Sequence, residues 1–234
     1  MLDVVIINVQ PELAQSEFDG LMPLVSIEKQ NRIRKFRLFR DARNCLLADV
    51  LARNEISRAT GLGNRQIEFT ANAYGKPLMS GDTGIHFNTS HAGCFVACAI
   101  AGEPVGIDIE LVRPSGLKIA ERFFSPDETA YIMDCKMDCK MEGKMEGKME
   151  GGQEYRFTEV WTKKESRIKW EGKGLRTPLN SFSIFDPHEQ ERLAYHNVFQ
   201  SAEAVGHVCT TIKQAPSIKV MGTRMFMQGI ILQG

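Results

Sequence analysis

The chain has 234 residues, 43% of them apolar and 25% charged, and its 29 basic and 29 acidic side chains give a formal net charge of zero. That balance is ordinary for one large or two small soluble domains and excludes a global basic field for nucleic acid. No apolar run approaches the roughly 20 residues of a membrane span, and six scattered cysteines follow no disulfide-framework spacing, so a reducing cytoplasmic setting is expected.

In chain order, Met1-Leu-Asp-Val-Val-Ile-Ile lacks a basic n-region and a cleavage site and reads as the start of a buried strand over 2–9 rather than as a signal peptide. Residues 28–58 carry Ile33, Phe36, Leu46, Leu47, Val50, Leu51 and Ile56 at three- and four-residue steps, which predicts one long helical segment. Its early part gathers Lys29, Arg32, Arg34, Lys35, Arg37, Arg40 and Arg43. That cluster reads either as a solvated helix face or as an anion-binding surface. Tyr74-Gly75-Lys76-Pro77 is turn chemistry. Strands are expected near 84–90 and 94–101, joined by His91-Ala92-Gly93, and a third over 104–110. Ser125-Pro126-Asp127-Glu128 has the signature of a helix start, with Ser as N-cap, Pro at the first position and Glu closing a capping box. Residues 158–170 predict another helix, ended by Gly172-Lys173-Gly174. Beyond 181, apolar runs at 181–185, 206–212, 217–221 and 225–232 read as strands. Strands and helices mix without a regular βαβ alternation, so the fold class is α+β.

Met133–Gly152 is near-copies of a four-residue unit, from Met-Asp-Cys-Lys to Met-Glu-Gly-Lys. As a helix it would set like charges four apart, Glu142 with Glu146 and Lys140 with Lys144. Its glycines weaken a strand. The segment is expected as a mobile surface loop or loose hairpin inserted by repeat expansion. Cys135 and Cys139 within it have no neighbouring histidine or second cysteine pair to complete a metal site.

The chemistry concentrates in Val105-Gly106-Ile107-Asp108-Ile109-Glu110 and in Trp161-Thr162-Lys163-Lys164-Glu165-Ser166. In a strand, Asp108 and Glu110 leave the same face roughly 7 Å apart. Carboxylates gathered at one point repel each other unless a cation joins them, and hard oxygen ligands suit Mg²⁺ beside a substrate phosphate. On the second helix Trp161, Glu165 and Lys169 share one face. Glu165 and Lys169 make either an ordinary surface ion pair or a cation ligand beside a phosphate contact. The run Asn88-Thr89-Ser90-His91 implies no nucleophile–base pair by itself. No P-loop or dinucleotide fingerprint is present.

Taken together, Lys29–Arg43, Tyr74-Gly75-Lys76-Pro77, His86-Phe87-Asn88-Thr89-Ser90-His91, Gly106-Ile107-Asp108-Ile109-Glu110, Ile119–Ser125, Trp161–Ser166 and Lys169–Leu175 resemble the 4′-phosphopantetheinyl transferases of the long, surfactin-synthetase-activating type. The Gly-Ile-Asp-Ile-Glu piece paired with Trp-x-x-Lys-Glu-Ser is the specific part. The resemblance implies an enzyme that moves the phosphopantetheine arm of coenzyme A onto a serine of an apo acyl or peptidyl carrier protein, releasing 3′,5′-ADP. It implies a pseudo-dimer of two similar halves with the site in the cleft between them. Residues 1–103 would hold the coenzyme A nucleotide, and 104–234 would carry the metal ligands and the carrier face around an insertion at 133–152. Asp108, Glu110 and Glu165 match the magnesium ligands. Lys169 and His91 match phosphate contacts and, with Glu165, the catalytic set. Lys29, Arg32, Lys76 and Ser90 match residues at the nucleotide end. Relatives often place a basic and then a hydroxyl residue where this chain has Asn44 and Cys45, which implies a weaker nucleotide contact there.

A cytoplasmic monomer, with no nucleic-acid or membrane partner, is the expectation. Two readings from other classes stand beside it: a non-catalytic carrier-protein or coenzyme A binding module, and a Mg²⁺-dependent coenzyme A pyrophosphatase. The intact acid triplet with Lys169 argues against the first, and the lack of a Glu-rich hydrolase helix argues against the second.

Overall fold

The computed structural model describes residues 1–81, 83–114, 117–134 and 152–230. Its first half runs β1 (Leu2–Asn8), α1 (Gln15–Leu21), α2 (Ile27–Ile33), α3 (Phe39–Thr60), β2 (Phe69–Ala71), β3 (Pro77–Met79), β4 (His86–Ala92) and β5 (Phe95–Ala101). The second runs β6 (Val105–Leu111), α4 (Leu117–Phe123), α5 (Pro126–Met133), α6 (Gln153–Glu171), α7 (Pro187–Arg192), β7 (Ala194–Gln200), β8 (Ala204–Thr210), β9 (Ser217–Gly222) and α8 (Thr223–Gln228). The architecture is α+β.

One plan occurs twice. A strand leads to a long helix and then to an antiparallel hairpin whose second strand pairs back onto the first. β5 pairs with both β4 and β1, and β8 pairs with both β7 and β6, all antiparallel. The sheets are therefore ordered β4-β5-β1-β9 and β6-β8-β7. β9, from the end of the chain, adds to the first sheet in parallel with β1.

Strand alternation builds the layers. Val5 and Ile7 of β1 pack with Leu46, Leu47, Val50 and Leu51 of α3 in one core. Leu2, Val4 and Ile6 face the other way and pack with Val105, Ile107 and Ile109 of β6 in a second. A third core joins Phe124 and Ile132 to Val160 of α6 and to Ile184. The opposite face of β6, with Gly106, Asp108 and Glu110, is thereby turned toward α6. Among the described residues, no helix is long and apolar enough to cross a membrane.

Several expectations need correction. The segment 28–58 is two helices, because residues 34–38 leave the helical path and Leu38 is an extended N-cap. The apolar stripe lapses there, since Phe36, Leu38 and Phe39 are exposed. His91 and Ala92 belong to β4, and the turn is Gly93-Cys94, with Gly93 at φ +57°. Residues 181–185 form no strand: the Ile184 N–H is taken by the Glu128 carboxylate rather than by a ladder. Residues 223–228 are helical, with Phe226 filling the first core. β7 lacked a sequence signal because, at a sheet edge and with an irregular register, it buries only Val198. The repeat, apart from its ends at Met133–Asp134 and Gly152, lies outside the described residues, as do Cys135 and Cys139.

Candidate active site

The site residues meet where β4 lies beside β6 and α6. β6 is an edge strand of its sheet, so alternate N–H groups on its outer side need partners. Asn88 and Ser90, two apart on β4 and facing the same way, supply them. The Ile107 N–H donates to Asn88 Oδ1 at 2.9 Å and the Ile109 N–H to Ser90 Oγ at 3.3 Å. The Ser90 hydroxyl in turn donates to Asp108 Oδ1 at 2.9 Å. Lys169 Nζ reaches both, at 2.7 Å from Asp108 Oδ1 and 3.0 Å from Ser90 Oγ. Ser90 Oγ thus uses its one proton and accepts two bonds, which is its full capacity.

Lys169 reaches this point because α6 lies almost on β6. A Cβ at Gly106 would stand 2.1 Å from Ser166 O and 2.3 Å from Trp170 N. Lys76 closes the same joint, with Nζ donating to Val105 O at 3.0 Å and to Trp170 O at 3.3 Å. Burial holds its ammonium below the usual lysine range, at about 8. Asn72 completes the joint by donating to Gly172 O at 2.7 Å, just past the α6 terminus.

The three acids feel one another. Asp108 is buried, and its second oxygen, Oδ2, has no partner. Burial, and then the Asp108 charge, push the Glu110 carboxyl up to about 7, against the pull of Lys169 and Arg113. Glu165 is raised for the same two reasons, again opposed by Lys169. His91 is held below the usual histidine range, first by crowding from the protein, although much of its ring meets solvent, and then by the Lys169 charge.

Among the described residues, no three His, Cys, Asp or Glu side chains are arranged closely enough to grip a metal ion. The Lys169 ammonium stands on the other Asp108 oxygen, Oδ1. The donor chemistry nevertheless fits a hard divalent cation: an unpartnered buried carboxylate oxygen beside two acids whose charge is disfavoured by their surroundings.

The basic residues of the early helices separate into two groups. Lys29 and Arg32 line a groove of about 730 Å³ between α2, α3 and the β2–β3 turn, together with Asp49, Arg53 and Arg65. Lys29 is ion-paired to Asp49 at 3.4 Å. Arg43 is instead buried and, with Asn44, holds the carbonyl of Gly93, at 3.4 Å and 3.0 Å. Cys45 is buried. Glu110 also borders an apolar hollow of about 190 Å³ formed with Leu111, Arg113, Ile119, Phe157 and Trp161.

Of the residues singled out in the sequence, Ser90, Asp108 and Lys169 are in contact. Glu110, Glu165 and His91 surround them within electrostatic reach. Lys29 and Arg32 share the neighbouring groove, and Lys76 bridges β6 to α6. Asn88 and Asn72 were not recognised from the sequence. The two-residue step from Asn88 to Ser90 on a strand was the available signal for the first, and nothing local marks the second.

Comparison with known proteins identifies the family. Residues 104–217 match the family model described as the 4′-phosphopantetheinyl transferase superfamily, and residues 10–104 match the one described as 4′-phosphopantetheinyl transferase, N-terminal. The chain is 41% identical over 182 residues to the 4′-phosphopantetheinyl transferase ffp of Bacillus subtilis, covering 78% of this chain and 75% of that protein. It is 41% identical over 172 residues to Sfp of Bacillus subtilis strain 168, covering 74% and 71%. It is 36% identical over 195 residues to gsp of Aneurinibacillus migulanus, covering 83% and 76%. With both halves matched in order and these identities over most of its length, the chain belongs to the 4′-phosphopantetheinyl transferase superfamily.

Proposed function

We propose that this chain transfers the 4′-phosphopantetheine arm of coenzyme A to a serine of an apo acyl or peptidyl carrier protein and releases 3′,5′-ADP. The observation that carries the reading is the junction of Ser90, Asp108 and Lys169, with Glu110 and Glu165 close enough to feel the Asp108 charge. Residues 1–103 form the nucleotide-holding half and 104–234 the metal-holding half, with the site between them. The repeated strand–helix–hairpin plan supports that division.

The reaction forms a bond between the carrier serine oxygen and the β-phosphorus of coenzyme A. It breaks the bond from that phosphorus to the bridging oxygen, which leaves with 3′,5′-ADP. Asp108, Glu110 and Glu165 would hold Mg²⁺, which when bound withdraws charge from the diphosphate. Lys169, once released from Asp108, and His91 would stabilise the charge that develops on the phosphoryl oxygens. Lys29 and Arg32 anchor the 3′-phosphate in the groove, and that remote binding energy positions the reacting end. Ser90 and Lys76 would reach the nucleotide by giving up bonds they make here, Ser90 to Asp108 and Lys169 and Lys76 to the Val105 and Trp170 carbonyls. The serine proton passes to Glu165, to water, or to Lys169 where that side chain has first given up a proton of its own. With both halves in one polypeptide, the active species is a cytoplasmic monomer, and its partners are coenzyme A and the carrier.

The test is to incubate the protein with coenzyme A, Mg²⁺ and an apo carrier protein and to weigh the carrier. A gain of one phosphopantetheine group is expected, lost in Glu165→Gln while that variant stays folded. Hydrolysis of coenzyme A with an unmodified carrier, or no reaction at all, would overturn the reading.

A further inference from the structure

Lys164 and Glu128 are the one ion pair among the described residues with both side chains fully withdrawn from solvent, each at 0% exposure. Lys164 Nζ donates to both Glu128 oxygens at 2.7 Å and to Phe182 O at 2.8 Å, which uses all three of its protons. Glu128 also accepts the Ser125 N–H at 3.0 Å and the Ile184 N–H at 2.9 Å. The Phe182 and Phe124 rings flank the ammonium, with centroids 4.1 Å and 5.6 Å away. α5, α6 and the segment before α7 are therefore tied at one buried point. A buried ion pair adds little to stability over an apolar pair of the same volume, so its presence calls for another reason.

That reason lies one residue along α6. Successive helical residues turn by about 100°, so α6 presents two pinned faces. One is held by Lys164 and, in the third core, by Val160. The other is held by Thr162, whose Oγ1 lies 2.8 Å from His207 Nδ1 on β8, by the close approach at Gly106, and by Lys169 on Asp108. Glu165 falls between the two. It has no direct protein partner of its own among these contacts, so its direction is set by how α6 is rotated.

We infer that the buried Lys164–Glu128 pair is a positioning device for Glu165: it fixes the rotation of α6 about its axis and thereby aims the Glu165 carboxylate at Asp108 and Glu110. The inference rests on the proposed role of Glu165 as a metal ligand. Partners that orient a ligand without touching the ion lower metal affinity by about 10- to 100-fold when they are removed.

The test is calorimetric titration of Mg²⁺ into the protein saturated with coenzyme A, alongside amide exchange over residues 160–168. Four proteins are compared: wild type, the Lys164→Met/Glu128→Gln double variant, Glu128→Asp and Ile132→Ala. The double variant removes both charges yet leaves one acceptor for the backbone N–H groups. Glu128→Asp keeps the charge on a shorter arm and disturbs the fold less. Ile132→Ala destabilises the same core without touching the pair. The double variant is expected to bind Mg²⁺ about 10-fold more weakly, with faster exchange over 160–168 and an unchanged coenzyme A affinity. Glu128→Asp should fall between it and wild type, and Ile132→Ala should match wild type in Mg²⁺ affinity. Wild-type Mg²⁺ affinity in either pair variant would overturn the positioning role alone. A wild-type protein that takes up no Mg²⁺ with coenzyme A would overturn the functional reading and this inference with it.

Discussion

A Cβ at position 106 would overlap the backbone of α6 at three atoms, so the hydrogen of Gly106 sets the spacing between β6 and the helix that carries Lys169 and Glu165. Gly106→Ala is expected to cost about 3 kcal/mol in denaturant unfolding, the upper end for overpacking. It should also slow transfer about 100-fold, because a displacement near 1 Å of positioned groups has that effect. An alanine variant with wild-type turnover would show that α6 tolerates the shift. Lys76 acts at the same joint, and its charge makes the joint pH-sensitive. Its folded pKa, about 8, lies below its ordinary value of 10.5 because of burial. The unfolded chain therefore binds more protons than the folded one between those values, and stability rises as pH climbs through that window. Wild-type protein is expected to gain stability relative to Lys76→Met between pH 8 and 10.5, read from urea midpoints. Parallel pH curves for the two would place the ammonium in a solvated setting.

At the scale of elements, β4 and β6 belong to different sheets and share no ladder. Asn88 and Ser90 take its place by bonding two β6 N–H groups with side chains. Asn88→Ala would leave the Ile107 N–H buried and unpaired, at a cost of about 1–3 kcal/mol. The loss should appear as a lower melting temperature and as faster amide exchange at Ile107, with Val208 on the other side of β6 less affected. α6 was legible in the sequence because Trp161, Glu165 and Lys169 fall four apart on one face and Gly172-Lys173-Gly174 marks its end. The break between α2 and α3 was not, since no Gly or Pro marks it and the exposed Phe36 counts as apolar in any periodicity.

Across the whole molecule, the two ends of the insertion are held together by bonds among the flanking helices and Asp134, its second residue. Arg156 Nη1 donates to Tyr131 O at 3.1 Å and to Asp134 O at 2.6 Å, and the Tyr131 hydroxyl donates to Glu159 at 2.8 Å. With the buried Lys164–Glu128 pair, these contacts dock α5 on α6 whatever length of chain joins them. Removing 137–148 is therefore expected to change stability by less than about 1 kcal/mol, because loop-closure entropy varies slowly with length. A large fall in melting temperature on that deletion would show that the repeat contributes packing of its own.

The sequence by itself determined the acids at 108, 110 and 165, the strand and helix that carry them, and through those motifs the family. Each is a short-range pattern, a period of two or of about four, that local backbone geometry converts directly into a shared face. Only the tertiary structure decided that Lys169 rests on Asp108, that Lys76 spends its ammonium on two carbonyls, and that Lys164, adjacent to Glu165, is buried against Glu128. Those outcomes depend on which distant segment arrives opposite each side chain. A charge is indifferent to sequence distance and responds to what lies within a few ångströms of it and to how much water remains.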